Sequence, residues 1–224
     1  MGESLIALLI VLAMSIALVV SGIKKVPGIG VLLSLAGVIA AILLGYTSLE
    51  GIGFIPQENW LQTIGLSLLL GVGLAVLGVI LIEPLVEKLT GAPHDLSVLE
   101  DVRSDLKSLL TMILLVWLTV AFMEEILFRG FLMTEIVKVL GNRVLALAIN
   151  ILIVAVVFGL SHWYQGKSGV FSTGIIGILI SLIFIFSGFN LWLVILTHGF
   201  IDTAGLWLMY GERDKQLREI VWKP

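Results

Sequence analysis

Apolar runs long enough to cross a membrane fill most of this chain of 224 residues. A transmembrane helix needs about 20 consecutive apolar residues, and about seven runs approach that length, at 5–23, 29–46, 61–82, 109–128, 144–164, 169–187 and 189–209. Only 13% of the residues are charged, about half of the fraction usual in a soluble domain. The sequence therefore predicts an all-α, polytopic transmembrane bundle of about seven to eight segments, inserted in the membrane as a single domain over 1–224.

Two polar stretches interrupt the apolar runs. The longer, 83–107, is predicted to be an amphipathic loop in which Pro84, Gly91 and Pro93 act as breakers. The shorter, 131–142, is predicted to be an amphipathic or half-spanning helix. The formal net charge of −3 gives no reason to expect nucleic acid as a partner. Because the chain has no cysteine, disulfides, thiolate metal sites and a cysteine nucleophile are excluded.

A few ionisable side chains lie inside the predicted spans, where each costs roughly 2.5–3.5 kcal/mol to insert. They are Glu124, Glu125, Arg129, His162, His198 and Asp202. Groups this costly must face the interior of the bundle or a wet cavity and interact with one another, and they are functional candidates. We therefore expect a polar cavity within the membrane.

The spacing of Glu124, Glu125 and Arg129 predicts different roles for the two glutamates. Glu125 and Arg129 are i,i+4 on one helix, in the order that favours an ion pair. Glu124 lies about 100° around the same helix, so its carboxylate is off the axis of that pair and is a candidate general base. The alternative is a structural salt bridge with a second glutamate that reaches the lipid headgroups.

The histidines have structural alternatives as well. His162 follows Phe158 by four residues near the end of a span, where Trp163 and Tyr164 could form an interfacial aromatic belt around it. His198 and Asp202 share one face of another span and could simply bridge two helices. The third histidine, His94, lies in the polar loop and is expected to be solvated.

Three motifs in order resemble those of the CAAX protease and bacteriocin-processing family, the intramembrane glutamate proteases related to the CAAX prenyl endopeptidase. They are Glu-Glu-x-x-x-Arg at 124–129, Phe-x-x-x-His at 158–162 and His-x-x-x-Asp at 198–202. The resemblance covers about 109–209, which we assign as the catalytic core.

The resemblance implies a role for each motif residue. Glu124 would activate a water molecule that His162 helps to hold, and Glu125 with Arg129 would form the pair that orients Glu124. His198 and residue 202 would stabilise the oxyanion of the tetrahedral intermediate.

An ionised carboxylate cannot donate a hydrogen bond, and many members of the family have asparagine at the position of Asp202. Asp202 would therefore be protonated, orient His198 by accepting its N–H, or serve another purpose. The resemblance implies neither a cofactor nor a metal.

The depth of the site adds an expectation about topology. Glu124 and His162 both lie towards the C-terminal ends of their predicted spans, so antiparallel neighbours would place them on opposite membrane faces. We therefore expect 130–143 to bring the chain back across the membrane, which gives eight segments and both termini on one side. The basic tail, with Arg213, Lys215, Arg218 and Lys223, favours a cytoplasmic C-terminus with the cavity nearer that face; Lys24 and Lys25 would then lie outside.

Other functions remain open at this point. Glu124, His162 and His198 could hold zinc as in a metalloprotease, and metal analysis would distinguish this case. A non-catalytic scaffold that binds another membrane protein would retain its function in a Glu124→Gln variant. A proton-coupled carrier would also bury Glu and His, but the chain lacks a paired internal repeat.

The expected partners are the lipid bilayer and a membrane-associated peptide or protein substrate. The candidate substrates are a prenylated or otherwise lipidated protein, a bacteriocin leader and a membrane-anchored regulator. The expected location is the cytoplasmic membrane of a prokaryote.

Overall fold

A computed structural model describes residues 2–222, with side chains from residue 6 onward. Within that part of the chain there is no strand, and the all-α prediction is confirmed. The helices are α1 Gly2–Ile23, α2 Pro27–Leu43, α3 Trp60–Thr90, α4 Leu106–Leu140, α5 Val144–Ser161, α6 Gly166–Phe186, α7 Leu191–Met209 and α8 Arg213–Val221. All but α2 and α8 are long and apolar enough to cross a membrane, and α2 is a shorter apolar helix. The chain is an integral membrane protein.

Helix α3 does not end at Pro84, so the prediction of a loop over 83–107 is wrong at its start. Pro84 has no N–H to donate to the carbonyl of Ile80, four residues earlier. A π-helical stretch at Gly78–Ile82 precedes the proline, and the Trp222 indole N–H donates to the Ile80 oxygen at 2.7 Å. Gly91 ends the helix in the left-handed conformation, with φ of 67°.

The expected return of the chain across the membrane over 130–143 is absent, and this prediction is wrong. Helix α4 continues to Leu140, so 131–142 is mostly its last turns and not a separate helix. Glu124 is consequently near the middle of α4. After the turn at Gly141, α5 runs back alongside α4 and reaches the depth of Glu124 only at its C-terminal end, next to His162. An antiparallel α4–α5 hairpin therefore places Glu124 and His162 at the same depth.

The helices alternate in direction, with α1, α3, α5 and α7 opposed to α2, α4 and α6. For example, α3 and α7 run parallel, since the Ser67 hydroxyl donates to the Leu193 carbonyl at 3.1 Å and Gly71 meets Thr197 further along. The start of α1 and the tail α8 therefore lie at opposite ends of the bundle. The prediction that both termini lie on one side is wrong.

The end of the bundle that carries α8 also carries Lys24 and Lys25, contrary to the expectation that they lie on the other side. Lys25 interacts electrostatically with Asp95, whose amide donates to the Gln165 carbonyl at 3.0 Å. Asp95 and Gln165 belong to the connections between helices that lie next to α8. Lys223, also assigned to the basic tail, lies outside the described residues.

The close packing of α3 against α7 depends on Gly71. A Cβ atom at this position would lie 2.5 Å from the Phe200 Cβ and 2.7 Å from the Thr197 carbonyl oxygen. We predict that Gly71→Ala lowers the free energy of unfolding by about 1–3 kcal/mol, the usual cost of overpacking. The matched control is Gly73→Ala on the same helix, where nothing lies within 4 Å of the new Cβ. Equal melting temperatures of the two variants in detergent would contradict this packing.

Candidate active site

A cavity of about 410 Å³ opens between α3, α4, α6 and α7 and is also lined by the connection 91–105. Most of its wall is apolar, with Val79, Met112, Val116 and Leu206 among the lining side chains. The polar lining includes four of the predicted site residues, which are Glu124, His162, His198 and Asp202. The bundle therefore brings together charged groups from α4, α7 and the end of α5 in a largely apolar space.

Glu124 and His162 face each other across a gap that fits one water molecule. The Oε1 atom of Glu124 lies 4.0 Å from Nε2 of His162, which is too long for a direct hydrogen bond but suits a bridging water. The second oxygen of Glu124, Oε2, is buried and has no hydrogen-bond partner among the described residues. The Glu124 side chain is 14% exposed and lies far from either end of α4, so it is not a headgroup glutamate.

The tautomer of His162 follows from its partner. Its Nδ1 atom lies 2.8 Å from the carbonyl oxygen of Phe158, and a carbonyl can only accept, so Nδ1 carries the hydrogen. In the neutral ring Nε2 is then left as an acceptor that faces Glu124. The i,i+4 spacing thus brings His162 Nδ1 to the backbone carbonyl of Phe158, and this carbonyl determines the tautomer. The Ser161 hydroxyl donates to the same carbonyl at 2.7 Å.

Glu125 and Arg129 form a fully buried ion pair, with 2.8 Å between Arg129 Nη1 and Glu125 Oε1. The other end of the guanidinium donates to the Gly177 carbonyl on α6 at 2.9 Å. The guanidinium also lies over the Phe158 ring, with Cζ 4.7 Å from the ring centroid. Through these contacts of Arg129, the ion pair connects α4 to α5 and to α6 in the part of α4 that follows Glu124.

His198 lies between two carboxylates. Its Nδ1 is 2.7 Å from Glu125 Oε1, and its Nε2 is 3.5 Å from Asp202 Oδ2. With both carboxylates ionised, each ring nitrogen faces an anion, which is an environment that suits an imidazolium. The charges of Glu125, Arg129, His198 and Asp202 then balance, and Glu124 remains outside this set.

Of the possibilities that the sequence left open for Asp202, an interaction with His198 is compatible with the structure, because Asp202 Oδ2 and His198 Nε2 are at ion-pair distance, 3.5 Å. Asp202 is the most exposed member of the set, at 28% for its side chain, and it lines the cavity. It is held one helical turn after His198 on α7. In this position its carboxylate can pair with the imidazole when the ring is protonated.

His94 is not solvated, so the sequence expectation for this residue is wrong. Its side chain is buried, with Nε2 3.2 Å from the Gln165 Oε1 and Nδ1 3.6 Å from the Glu83 Oε1. Burial of the ring by itself opposes protonation, but the Glu83 carboxylate overcomes this effect and holds the pKa of His94 above its ordinary value. Glu83 is also paired with Arg218 of α8, so α8 is fastened next to the cavity.

Tyr164 is a cavity residue that the sequence assigned to an interfacial belt. Its neighbour Trp163 is 45% exposed, as such a belt requires, but Tyr164 lines the cavity. The two side chains diverge because they occupy a single 3₁₀ turn, Trp163–Gln165, directly after His162. No local signal in the sequence distinguishes the inward aromatic residue from the outward one.

The alternative of a zinc site receives no support from side-chain placement. In the part of the chain that the structure describes, no three His, Asp or Glu side chains are grouped so as to hold a metal ion. Both nitrogens of His198 face carboxylates. Zinc analysis of the purified protein remains the direct test.

Comparison with known proteins gives one match. The family model described as type II CAAX prenyl endopeptidase, Rce1-like, matches residues 106–204. This segment contains every residue of the three motifs. No curated protein and no solved structure matches the chain.

Proposed function

From the match of residues 106–204 to the Rce1-like family model of type II CAAX prenyl endopeptidases, we propose that this protein is a glutamate-dependent intramembrane endopeptidase. Its substrate is a peptide or protein held at the membrane. The observation that carries the proposal is the gap of 4.0 Å between Glu124 Oε1 and His162 Nε2, with an apolar cavity around it. A carboxylate and a neutral imidazole at this separation can hold and deprotonate one water molecule.

The proposed reaction is a direct hydrolysis. Glu124 takes one proton from the water. The water oxygen forms a bond to the carbonyl carbon of the substrate, and the carbonyl oxygen becomes an oxyanion. His162 holds the water through Nε2 and shares in the proton transfer. The oxyanion then re-forms the carbonyl, the C–N bond breaks, and the proton passes to the leaving amine.

The second group of residues is proposed to prepare the site electrostatically. Glu125 and Arg129 hold the middle of α4 in place, and Glu125 also fixes His198. The imidazolium of His198 lies beside the cavity and provides positive charge towards a developing oxyanion. Asp202 orients the imidazole through an ion pair with Nε2, at 3.5 Å.

The proposed substrate is apolar or lipid-modified next to the bond that is cut, because the cavity wall is mostly apolar. We suggest testing this with purified protein in liposomes and an internally quenched peptide that ends in a farnesylated CAAX sequence. We expect cleavage by the wild type and weaker cleavage of the same peptide without the farnesyl group. No cleavage of either peptide would count against a CAAX-type substrate. Loss of cleavage with a chelator, restored by zinc, would support the metalloprotease instead.

The proposed orientation places the cavity nearer the cytoplasm. Most of the described Lys and Arg residues lie at the end that carries α8, namely Lys24, Lys25, Lys88, Arg103, Lys107, Lys167, Arg213, Lys215 and Arg218, whereas Lys138 and Arg143 lie at the other. Basic residues are enriched in cytoplasmic loops. The location in a prokaryotic cytoplasmic membrane remains a prediction.

Single cysteines in this cysteine-free chain test the orientation. Ser104→Cys and Glu58→Cys introduce thiols at exposed positions at the two ends of the bundle. An impermeant maleimide added to intact cells should label Glu58→Cys at once and Ser104→Cys only after permeabilisation. The reverse labelling pattern would contradict the orientation.

A further inference from the structure

The proposed hydrolysis needs a hydrogen-bond donor for the oxyanion, and the third motif supplies an incomplete set. Asp202 Oδ2 lies 3.5 Å from His198 Nε2, and a carboxylate has no hydrogen to donate. His198 donates from Nδ1 to Glu125, so it can offer at most its Nε2–H, which faces Asp202. A further donor in the cavity would complete the site.

Tyr164 is the candidate for this further donor. It follows His162 in the turn between α5 and α6, and the two ring centroids are 5.7 Å apart. Tyr164 lines the same cavity as Glu124 and Asp202. Both carboxylates are close enough to interact electrostatically with its hydroxyl group.

The hydrogen bonds around Tyr164 leave its own hydrogen free. The side-chain amide of Gln165 donates to the Tyr164 oxygen at 3.3 Å. The carbonyl oxygen of that amide lies 3.2 Å from both His94 Nε2 and Thr173 Oγ1, which fixes the NH₂ group towards Tyr164. Among the described residues Tyr164 is the donor in no hydrogen bond. The phenol therefore accepts from the protein and can donate into the cavity.

We propose that Tyr164 is a catalytic residue that donates its hydroxyl hydrogen bond to the oxyanion of the tetrahedral intermediate. The proposal rests on the peptidase function above. The phenol keeps its proton throughout: the water oxygen forms the new bond to carbon, and the carbonyl oxygen carries the negative charge towards Tyr164. When the C–N bond breaks, the electron pair of the oxyanion re-forms the carbonyl bond, and the leaving amine takes the proton that Glu124 had accepted from water.

The test is the kinetics of Tyr164→Phe on the farnesylated quenched peptide in liposomes. This variant keeps the ring next to His162 and removes only the hydroxyl. We expect kcat to fall by about 10²–10³-fold, as for the loss of one oxyanion donor, with KM nearly unchanged. The matched control, Tyr210→Phe, removes a hydroxyl from a residue outside the lining of the cavity and should leave both constants unchanged.

A double variant sharpens the test. Asparagine at 202 can donate from its amide, so Tyr164→Phe combined with Asp202→Asn should recover part of the kcat lost in Tyr164→Phe. A wild-type kcat in Tyr164→Phe, or a change in KM alone, would overturn the role of Tyr164. If Glu124→Gln is inactive in that case, the peptidase proposal stands without it. Full activity of Glu124→Gln would instead contradict the proposed function itself, and no cleavage by the wild type would contradict the CAAX-type substrate on which this role of Tyr164 is tested.

Discussion

Glu124→Gln is expected to lower kcat by about 10²–10⁴-fold, the range for loss of a general base. Glutamine preserves the shape of the side chain but cannot accept a proton from water. Because Glu124 Oε2 has no hydrogen-bond partner among the described residues, the substitution breaks no bond that stabilises the fold. The variant should therefore accumulate and melt like the wild type, and activity in liposomes is the measurement.

The matched control for this prediction is Glu58→Gln. Glu58 is exposed and lies in the connection before α3, so its variant removes the same charge away from the cavity. It should retain wild-type kcat. If both variants keep full activity, Glu124 is not the general base, and this result contradicts the proposed mechanism.

Arg129→Met is expected to destabilise the protein by about 3–5 kcal/mol, the usual cost of removing one partner of a buried ion pair. Arg129 is fully buried and donates both to Glu125 and to the Gly177 carbonyl. Without it, the carboxylate of Glu125 keeps only His198 as a cationic partner. The melting temperature in detergent should fall sharply, and the cleavage rate of the remaining folded protein should fall with it.

Two comparisons identify the cause of that loss. Arg143→Met removes the same functional group from an exposed position and should change the unfolding free energy by less than about 0.5 kcal/mol. Arg129→Met combined with Glu125→Gln should cost less than the sum of the single changes, because the buried charge is removed with its partner. Additive costs would contradict a direct pair.

Relations within one helix could be predicted from the sequence, because they follow from helical spacing. The Glu125–Arg129 pair and the common face of His198 and Asp202 are of this kind. The length of α4 could not be predicted. Polar residues after 133 suggested a separate amphipathic helix, but Glu135 is buried and held by Tyr46 and Lys138. Lys138 lies on α4 itself, but Tyr46 belongs to the connection after α2, and a contact between such distant segments carries no periodic signal.

The rest of the site depends on contacts between segments that are far apart in the chain. Pro84 is accommodated within α3 because Trp222 satisfies the Ile80 carbonyl. Only the continued helix brings Glu83 to His94. Tyr164 turns inward in a short connection whose conformation depends on the helices that it joins. For this reason the sequence could list the charged groups of the cavity but not the residues around its entrance.

The most direct test of the central claim compares protein termini in membranes of the source cells that contain either wild-type protein or Glu124→Gln at equal abundance. New termini that arise only with the wild type would be the predicted result, and their sequences would identify the substrate and the bond that is cut. Identical sets of termini, with the natural partners present, would contradict an intramembrane peptidase that depends on Glu124.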